Sequence, residues 1–353
     1  METRSLPPTI YLDHAATTPL LPEAKAAMDH GFAIWTNPSS PHAAGRRARA
    51  ALEDARARVK AALDWNGEIV FTSGASEALA LAVHQCAQPL SAVSAVEHEA
   101  VLRHAGDAMR LPVDALGLVE RPAAPLSGLV AVQQVNNETG VMQPLHRVAE
   151  AVREGGGILL VDAAQGAGKL LTPEADLVAL SAHKFGGPIG TGALLVRDWK
   201  LLRPTGGQER GYRGGTENLP GALAMAAALE ADRGWLDEAV RLRDRLDEAI
   251  IAAGGQSLCR ETARVPSIAS YRMPGKSANA QLIALDAQGF AVSAGSACSS
   301  GSLRTSHVLK AMGMGDKAAG EVIRVSIGRE TTGAQIDAFI AAWTALAAGR
   351  QAA

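Results

Sequence analysis

The stretch Ser181-Ala182-His183-Lys184-Phe185-Gly186-Gly187-Pro188 is the one around which the chain is organised. It follows residues 175–180, Ala-Asp-Leu-Val-Ala-Leu, an apolar run that is typical of a buried strand. Two glycines and a proline break the pattern shortly after the lysine. A break at the carboxyl end of a strand can expose Lys184 to a cavity, although a single lysine there could equally be a solvated surface residue. The pattern marks Lys184 as a candidate functional amine.

An aspartate at the end of the preceding strand favours the functional interpretation. Asp162 follows residues 158–161, Ile-Leu-Leu-Val, and a carboxylate that closes a wholly apolar strand needs a cationic or hydrogen-bonded partner. On adjacent strand ends, Lys184 supplies an amine for a Schiff base and Asp162 a carboxylate that keeps a pyridine nitrogen protonated. These are the requirements of pyridoxal phosphate, which is therefore the cofactor that the pattern indicates.

The same arrangement recurs along the first half of the chain. Polar residues follow five predicted strands, and these residues are Ser73-Gly74-Ala75-Ser76, Glu97-His98-Glu99, Asn136-Asn137-Glu138-Thr139-Gly140, Asp162 with Gln165, and Ser181 with His183 and Lys184. Helical stretches such as residues 145–154 separate most of the strands, which predicts an α/β fold with a mostly parallel sheet covered on both sides. Because the carboxyl ends of parallel strands meet at one edge, we expect a shared crevice there. Residues 73–76 open a predicted helix whose free N–H groups suit a phosphate, although they also fit a plain helix cap.

Composition bounds the class of protein. The chain has 353 residues, of which 47% are apolar and 20% charged, and this is typical of a globular protein. A net charge of −2 argues against nucleic acid as a partner. We expect no signal peptide in residues 1–8 and no membrane span, because the longest apolar segment, residues 338–348, suits an amphipathic helix. The cysteines Cys86, Cys259 and Cys298 form no Cys-x-x-Cys pair, which predicts no disulfide framework, no intrinsic metal site and a reducing, cytoplasmic setting.

The second half of the chain predicts a separate, smaller unit. Residues 206–218 form a glycine-rich loop that could be a linker, but its three arginines and its length favour a function. Residues 220–252 predict one long helix that bridges two domains. We expect a large cofactor-binding domain at residues 15–235, and a small α+β domain at residues 1–14 and 236–353.

Two residues of this second half are candidates for substrate chemistry. Cys298 lies among small residues only, in a segment of about 293–303 that we expect to be mobile and exposed, so it could be an incidental thiol or a nucleophile that moves. Cys86, predicted on a helix, and Cys259, on a strand-like stretch, are predicted to be structural. Arg324 lies in Ile323-Arg324-Val325-Ser326-Ile327, whose alternation is typical of a half-buried strand. Its guanidinium suits a substrate carboxylate, with a surface salt bridge as the alternative.

Taken together, these residues resemble the cysteine desulfurases, pyridoxal-phosphate enzymes of aminotransferase class V, and more closely the NifS/IscS-like group. The resemblance runs in order over nearly the whole chain. It rests on Tyr11-Leu12-Asp13-His14-Ala15-Ala16-Thr17-Thr18-Pro19, Asn37-Pro38-Ser39-Ser40, Phe71-Thr72-Ser73-Gly74-Ala75-Ser76-Glu77, Glu97-His98, Asn136-Asn137-Glu138-Thr139-Gly140, Asp162-Ala163-Ala164-Gln165, Ser181-Ala182-His183-Lys184, Gly211-Tyr212-Arg213-Gly214-Gly215-Thr216, Ser296-Ala297-Cys298 and Ile323-Arg324-Val325-Ser326-Ile327-Gly328-Arg329.

The resemblance implies a fold type I enzyme and a role for each matching residue toward the cofactor. Lys184 forms the Schiff base and moves protons, and His98 stacks on the ring and acts as an acid or base. Asp162 pairs with the pyridinium nitrogen, and Gln165 binds the ring hydroxyl. The phosphate is held by Ala75, Ser76, Ser181 and His183, and by Thr216 from the second subunit of a homodimer.

The resemblance also implies the reaction. Asn137 and Arg324 bind the carboxylate of L-cysteine, and Cys298 takes its sulfur, which releases L-alanine and leaves a persulfide. The sulfur then passes to an acceptor, typically an iron–sulfur scaffold protein, for cluster assembly or another thio-cofactor. Cys298 could also ligate a transferred iron–sulfur cluster.

Three other classes of protein are weaker matches. A selenocysteine lyase or a class-V aminotransferase shares Lys184 and Asp162, but transaminases do not need Cys298. A non-catalytic sulfur-relay partner would have lost Lys184 or Cys298, and both are present. A dinucleotide-binding dehydrogenase would carry Gly-x-Gly-x-x-Gly after a strand, which this chain lacks. The chain departs from the resemblance at Ser76, where threonine is common, and at His14, where tyrosine or asparagine is frequent.

Overall fold

The structure is a computed structural model that describes residues 9–295 and 305–349. Its strands are β1 (Ile10–Tyr11), β2 (Glu68–Thr72), β3 (Leu90–Ser94), β4 (Met109–Leu111), β5 (Leu129–Gln133), β6 (Ile158–Asp162), β7 (Leu177–Ser181), β8 (Gly192–Val196), β9 (Gln256–Ser257), β10 (Ile268–Arg272), β11 (Phe290–Ala291) and β12 (Val322–Ser326). Its α-helices are α1 (Pro22–Ala33), α2 (Ala43–Ala62), α3 (Ala75–Gln85), α4 (Glu99–Leu102), α5 (Leu145–Glu154), α6 (Leu219–Glu230), α7 (Trp235–Ala252), α8 (Ala278–Asp286), α9 (His307–Ala311), α10 (Asp316–Ala319) and α11 (Gly333–Ala348).

The main sheet has seven strands in the order β2-β8-β7-β6-β5-β3-β4. All are parallel except β8, which runs antiparallel to both β2 and β7. Strands β5, β6 and β7 are buried along their whole length, because helices cover both faces of the sheet. The predicted α/β fold with a mostly parallel mixed sheet is confirmed. Six strands therefore end at the same edge, and the polar residues follow five of them, β2, β3, β5, β6 and β7.

Alternate side chains of each strand enter two different cores. On one face, Val161 and Leu180 pack with the apolar side of α2, where Leu52, Ala55 and Val59 recur at helical spacing. On the other face, Leu160 and other strand residues pack against α3 and α4. Burying one such leucine is worth about 1.5–3 kcal/mol, so the two cores fix the strand register and the edge that carries the polar residues.

A second sheet is formed by β12, β10 and β9, all antiparallel, with its own core around Tyr271, Phe339 and Trp343. The first residues of the described chain belong with it. Strand β1 pairs with β11, and Asp13 forms an isolated bridge to Ser326 at the end of β12. This pairing carries Asp13, His14 and Ala15 to the edge of the main sheet. The division of the chain at residues 14 and 235 stays a prediction.

The single helix predicted for residues 220–252 is wrong. Two helices stand there, α6 and α7, and residues 231–234 separate them. Asp232 accepts a hydrogen bond from the backbone of Gly234 at 3.0 Å, which closes a turn. The break is required because α6 is buried against α1 and α2, whereas α7 packs against the second sheet.

The glycine-rich loop of residues 206–218 is tied to the main sheet rather than being a linker. The carboxylate of Glu209 is buried, accepts from Arg56 Nη1 at 2.9 Å and accepts from the backbone N–H of Phe71 at 2.9 Å. Removing one partner of such a buried pair typically costs about 3–5 kcal/mol. The loop therefore holds a fixed course beside β2.

Two kinds of feature are absent from the described residues. None of the helices in residues 9–295 and 305–349 is both long and apolar enough to cross a bilayer. Within the same ranges, no group of three or more histidine, cysteine, aspartate or glutamate side chains could hold a metal ion.

Candidate active site

A cavity of about 600 Å³ lies where the five strands end. Strand β2 leads into it through α3, and β3, β5, β6 and β7 reach it directly. The structure brings together here all but two of the predicted site residues: Ala75, Ser76, His98, Asn137, Asp162, Gln165, Ser181, His183, Lys184 and Arg324. Their positions span more than half of the chain, so the fold alone assembles them.

The two remaining predicted residues are not in the cavity wall. Thr216 is exposed and lies in the loop that Glu209 anchors. Cys298 lies outside the described residues. The beginning of its predicted mobile segment is fixed, because Ser293 is buried and exchanges two backbone hydrogen bonds with Arg324, of 3.2 and 2.6 Å.

Lys184 lies in the short 3₁₀ turn that follows β7. Its Nζ donates to the carbonyl oxygens of Ala15 and Ala16 at 2.7 and 2.8 Å. Burial, followed by the nearby guanidinium of Arg324, lowers the pKa of this amine to about 8. A substantial fraction of Lys184 is therefore neutral, and hence nucleophilic, near physiological pH.

Two buried oxygen acceptors face Lys184 from the end of β6. The Asp162 carboxylate accepts one backbone hydrogen bond, from Ala164 at 2.9 Å, and burial raises its pKa despite that bond. Gln165 donates its Nε2–H to Ala15 at 2.8 Å, which leaves its Oε1 buried without a partner. A buried acceptor without a donor is costly, so both residues favour a ligand with hydrogen-bond donors.

The amino-terminal end of α3 forms the opposite wall. Gly74 precedes the helix with a φ of +151°, a conformation that L residues rarely adopt. Ser76 and Ser181 place hydroxyl groups in the same cavity wall. Glu77 brings a negative charge to this first turn, but Arg213 Nε pairs with its carboxylate at 2.8 Å. The exposed N–H groups and the helix dipole therefore favour an anion here.

His98 precedes α4 and shows its ring to the open cavity. Its Nδ1 accepts from the backbone N–H of Ala100 at 3.1 Å, which fixes the ring orientation. Although the residue is exposed to the cavity, desolvation of the ring lowers its pKa. A neutral imidazole of fixed orientation presents a flat surface for an aromatic ligand and a free nitrogen for a proton.

Arg324 reaches the cavity from the second sheet. Its strand β12 is buried at every position, so the predicted half-buried strand is wrong: the second sheet is covered on both faces. Arg324 Nη2 donates to Asp13 at 2.7 Å and Nη1 to the carbonyl of Asn137 at 3.0 Å, whereas Nε is buried without a partner. The guanidinium therefore keeps one unused donor, and Asn137 lines the same cavity.

Two buried carboxylates beside the cavity were missed from the sequence. Glu138 is buried, accepts from Ser306 Oγ at 2.6 Å and has a raised pKa because of burial. Glu97 is fully buried and accepts from the backbone N–H of Gln133 at 2.7 Å, while its Oε2 has no partner. Burial raises the Glu97 pKa from 4.5 to about 8. The sequence signal that could have identified Glu97 as a buried carboxylate is its position directly after the apolar run of residues 92–96.

Glu97→Gln is expected to flatten the fall in stability between pH 5 and pH 8. The folded protein holds a proton on Glu97 up to about pH 8, whereas the unfolded chain releases it near pH 4.3. The free energy of unfolding therefore falls as pH rises through this window, on the order of a few kcal/mol at most. Glutamine keeps the hydrogen bond from Gln133 and cannot ionise.

Urea unfolding at pH 5, 7 and 9 measures this difference. Glu23→Gln, an exposed carboxylate changed in the same way, should keep the wild-type dependence on pH. Parallel curves for wild type and Glu97→Gln would show that Glu97 is ionised in the folded protein.

The other two cysteines have the surroundings of structural residues. Cys86 follows the end of α3 instead of lying on that helix, because its φ of −56° and ψ of 143° leave the helical region. Cys259 lies in a turn after β9, with a φ of +58°. Both are buried, and burial raises the pKa of Cys86 and brings that of Cys259 to about 12. Neither thiol ionises readily near neutral pH.

Comparison with known proteins places this geometry among related chains. Residues 10–339 match the family described as aminotransferase class-V. A cysteine desulfurase of Cereibacter sphaeroides is 38% identical, over 94% of each chain. A cysteine desulfurase of Gluconacetobacter diazotrophicus is 37% identical, over 93% of this chain and 90% of the other. Among solved structures, a NifS-like protein from Rickettsia africae superposes with a TM-score of 0.86 at 28% identity, over 96% of this chain and 99% of the other.

Proposed function

This chain belongs to the aminotransferase class-V family and is a cysteine desulfurase of the NifS-like group, and we propose that it works with pyridoxal 5′-phosphate bound in the 600 Å³ cavity. One observation carries the proposal. Lys184 and Asp162, from the ends of neighbouring strands, line the same cavity together with the unpartnered Gln165 Oε1.

The hydrogen-bonding groups of the cavity match the two ends of this cofactor. Asp162 and Gln165 are buried acceptors that need donors, which a protonated pyridine nitrogen and a ring hydroxyl provide. At the other wall, the start of α3 offers N–H groups and hydroxyl groups to a phosphate. A positive charge beside Asp162 would also lower its raised pKa and keep it ionised. We propose Ala75, Ser76, Ser181 and His183 as the phosphate ligands.

When bound, the cofactor supplies an electrophilic carbonyl carbon and an electron-withdrawing ring. Lys184 Nζ is the amine that attaches it, because its lowered pKa leaves part of the population neutral. Lys184 Nζ would also accept the proton from the substrate Cα and return it. His98 would lie against the cofactor ring and serve as a second proton acceptor through its free ring nitrogen.

The carboxylate of L-cysteine binds to Arg324 and Asn137. Arg324 and Asn137 both line the cavity, Arg324 keeps an unpartnered Nε, and an arginine fork binds carboxylates with charge-assisted hydrogen bonds. This contact would hold the substrate by its carboxylate. Orientation of this kind is a large part of enzymatic rate enhancement.

Cys298 is the proposed sulfur acceptor. Its thiolate attacks the sulfur of the substrate, the bond between that sulfur and the substrate Cβ breaks, and a proton delivered to Cβ completes L-alanine. A persulfide remains on Cys298 and passes its outer sulfur to an acceptor protein, for iron–sulfur cluster assembly or for another thio-cofactor. Cys86 and Cys259 are poor candidates for this role, because both are buried and have raised pKa values.

We also propose a homodimer in which Thr216 of one subunit completes the phosphate site of the other. Thr216 is exposed and does not line its own cavity. Phe32 and Trp35 stack on each other, with ring centroids 5.7 Å apart, although 50% and 68% of their surfaces are exposed. Exposed aromatic pairs of this kind are typical of interfaces.

The test is to incubate the purified protein with L-cysteine and to measure alanine and sulfide in the presence of a thiol reductant. We expect equal amounts of both products. Mass spectrometry of the unreduced protein should find one added sulfur atom on Cys298, with Cys86 and Cys259 unmodified as internal controls.

Two outcomes would contradict the proposal. Absence of alanine would refute the reaction, and a persulfide on Cys86 or Cys259 would refute the assignment of Cys298. A parallel assay with L-selenocysteine distinguishes a cysteine desulfurase from a selenocysteine lyase, because the lyase would act on L-selenocysteine and not on L-cysteine.

A further inference from the structure

The carboxylate of Glu138 lies between the two ends of the described chain that flank residues 296–304. Its Oε2 accepts from Ser306 Oγ at 2.6 Å. A Cβ atom added to Gly295 would stand 2.0 Å from the same oxygen, so the Gly295 backbone packs directly against it. Gly295 is the last described residue before residue 296, and Ser306 is the second one after residue 304. Both ends also line a common cavity of about 210 Å³.

The position of Glu138 is itself fixed from both sheets. Its backbone N–H donates to Asn136 Oδ1, after β5, at 3.0 Å, and its carbonyl accepts from Ser270 Oγ on β10 at 2.8 Å. Glu138 is only 3% exposed and Ser306 only 4%, so water does not compete for the hydrogen bond between them. Glu138 is therefore a rigid point to which a neighbouring segment can be attached.

The same contacts reach the residues proposed to bind the substrate. Asn137 directly precedes Glu138, and its carbonyl accepts from Arg324 Nη1 at 3.0 Å. The backbone of Arg324 in turn exchanges hydrogen bonds of 2.6 and 3.2 Å with Ser293, two residues before Gly295. The proposed substrate-binding pair and both ends that flank residues 296–304 thus belong to one connected set of short contacts.

Covalent geometry then limits how far Cys298 can lie from the active site. Cys298 is three residues beyond Gly295, and one residue spans at most about 3.6 Å, so the two Cα atoms are at most about 11 Å apart. Gly295 lines the 600 Å³ cavity, and so does His307, next to Ser306. While both ends stay at Glu138, the cavity remains within reach of the thiol.

We propose that Glu138 is a positioning residue for sulfur transfer: by binding Ser306 Oγ and packing against Gly295, its carboxylate keeps both ends of the segment that carries Cys298 beside the substrate-binding pair. Hydrogen bonds to a carboxylate are stronger than those between neutral groups. Without this bond the Ser306 end can shift, and misplacing a reacting group by about 1 Å can cost about 10²-fold in rate. This inference rests on the proposed role of Cys298 as the sulfur acceptor.

The first test measures the anchor itself and needs neither cofactor nor substrate. Trypsin cleaves after Arg304, two residues before Ser306, and a segment that is held in place must open locally to be cleaved. In Ser306→Ala we expect cleavage after Arg304 to become about three- to tenfold faster, as the loss of one hydrogen bond allows. Thr332→Ala is the matched control, because it removes the N-cap hydroxyl of α11 as Ser306→Ala removes that of α9. Its cleavage rate after Arg304 should match wild type.

The second test follows the persulfide on Cys298 by mass spectrometry, in the full chain loaded with pyridoxal phosphate and mixed with L-cysteine. In Ser306→Ala its formation should slow about 10- to 100-fold, while KM for L-cysteine and attachment of the cofactor stay near wild type. Glu138→Ala should be as slow, and the double variant no slower than either single one, because all three lose the same contact. Glu138→Gln keeps an oxygen acceptor for Ser306 and should retain the rate to within about threefold.

These comparisons separate anchoring from a merely structural role. Unchanged cleavage after Arg304 in Ser306→Ala, or persulfide formation at the wild-type rate in that variant, would overturn the inference, and so would a loss in Glu138→Gln as large as in Ser306→Ala. If Glu138→Ala does not fold, Glu138→Asp replaces it, because it withdraws the carboxylate by one methylene and should slow the persulfide step in the same way. A wild-type chain that forms no persulfide would refute the proposed function, whereas the cleavage rates would still test the anchor.

Discussion

Replacing Lys184 by alanine is expected to abolish covalent attachment of the cofactor and to lower desulfurase turnover by at least about 10³-fold. Lys184 Nζ is held by the carbonyls of Ala15 and Ala16, and among the described residues no other lysine lines the 600 Å³ cavity. Loss of the amine therefore removes both the attachment and the group that moves the substrate proton. The measurement is incorporation of the cofactor after borohydride treatment, together with release of alanine.

Two variants make this result interpretable. Lys25→Ala, on the exposed side of α1, should match wild type in both measurements. Cys298→Ser should retain the attached cofactor and lose sulfide release, so that attachment and sulfur transfer are separated. Turnover above about a tenth of wild type in Lys184→Ala would show that a different group performs the proton transfer.

Most of this site could be predicted because its residues follow a repeated local pattern. An apolar run that ends in polar residues is visible in sequence, and parallel strands bring such ends to one edge. The sequence therefore predicted that Asp162 and Lys184 lie close together. In the structure the strands that carry them, β6 and β7, are neighbours.

Other features could not be predicted, because they depend on partners far apart in the chain. The antiparallel direction of β8 leaves no trace in its composition, and the Arg56–Glu209 pair joins residues 153 positions apart. The break between α6 and α7 follows from the two cores that these helices serve. Both segments have helical periodicity, so the pattern alone predicts one continuous helix. The turn residues Asp232 and Gly234 were the only local sign of the break between α6 and α7.

Arg324 shows the same limit at the active site. The alternation of apolar and polar residues around Arg324 predicted that one face of the strand is exposed to solvent. Such a pattern does not show whether another part of the chain covers that face. In the structure Arg324 is buried and contacts Asp13 and the carbonyl of Asn137, so its ion pair with the partly buried Asp13 is not a surface one. The substrate-binding interpretation gains from this, because a buried guanidinium with an unused Nε binds a carboxylate more strongly than an exposed one.

Arg324→Lys is therefore expected to raise the KM for L-cysteine by about 10- to 100-fold while kcat changes much less. Lysine keeps the charge but offers a point donor in place of the planar fork, and one charge-assisted hydrogen bond is worth about 1.5–3 kcal/mol. Arg324→Ala should raise KM further and also destabilise the fold, because the partly buried Asp13 would lose its cationic partner. Steady-state kinetics with L-cysteine, beside urea unfolding of each variant, measures the two effects separately.

Arg272→Lys is the matched control. Arg272 lies on β10, next to β12 in the same sheet, and its guanidinium pairs with Glu321 at 2.7 Å away from the cavity. The same substitution there removes a fork from an ion pair without touching the substrate, so KM should stay at the wild-type value. Equal KM values in Arg324→Lys and Arg272→Lys would mean that the carboxylate binds elsewhere. A fall in kcat without a rise in KM would instead place Arg324 in the chemical step, since binding that is uniform through the reaction changes KM alone.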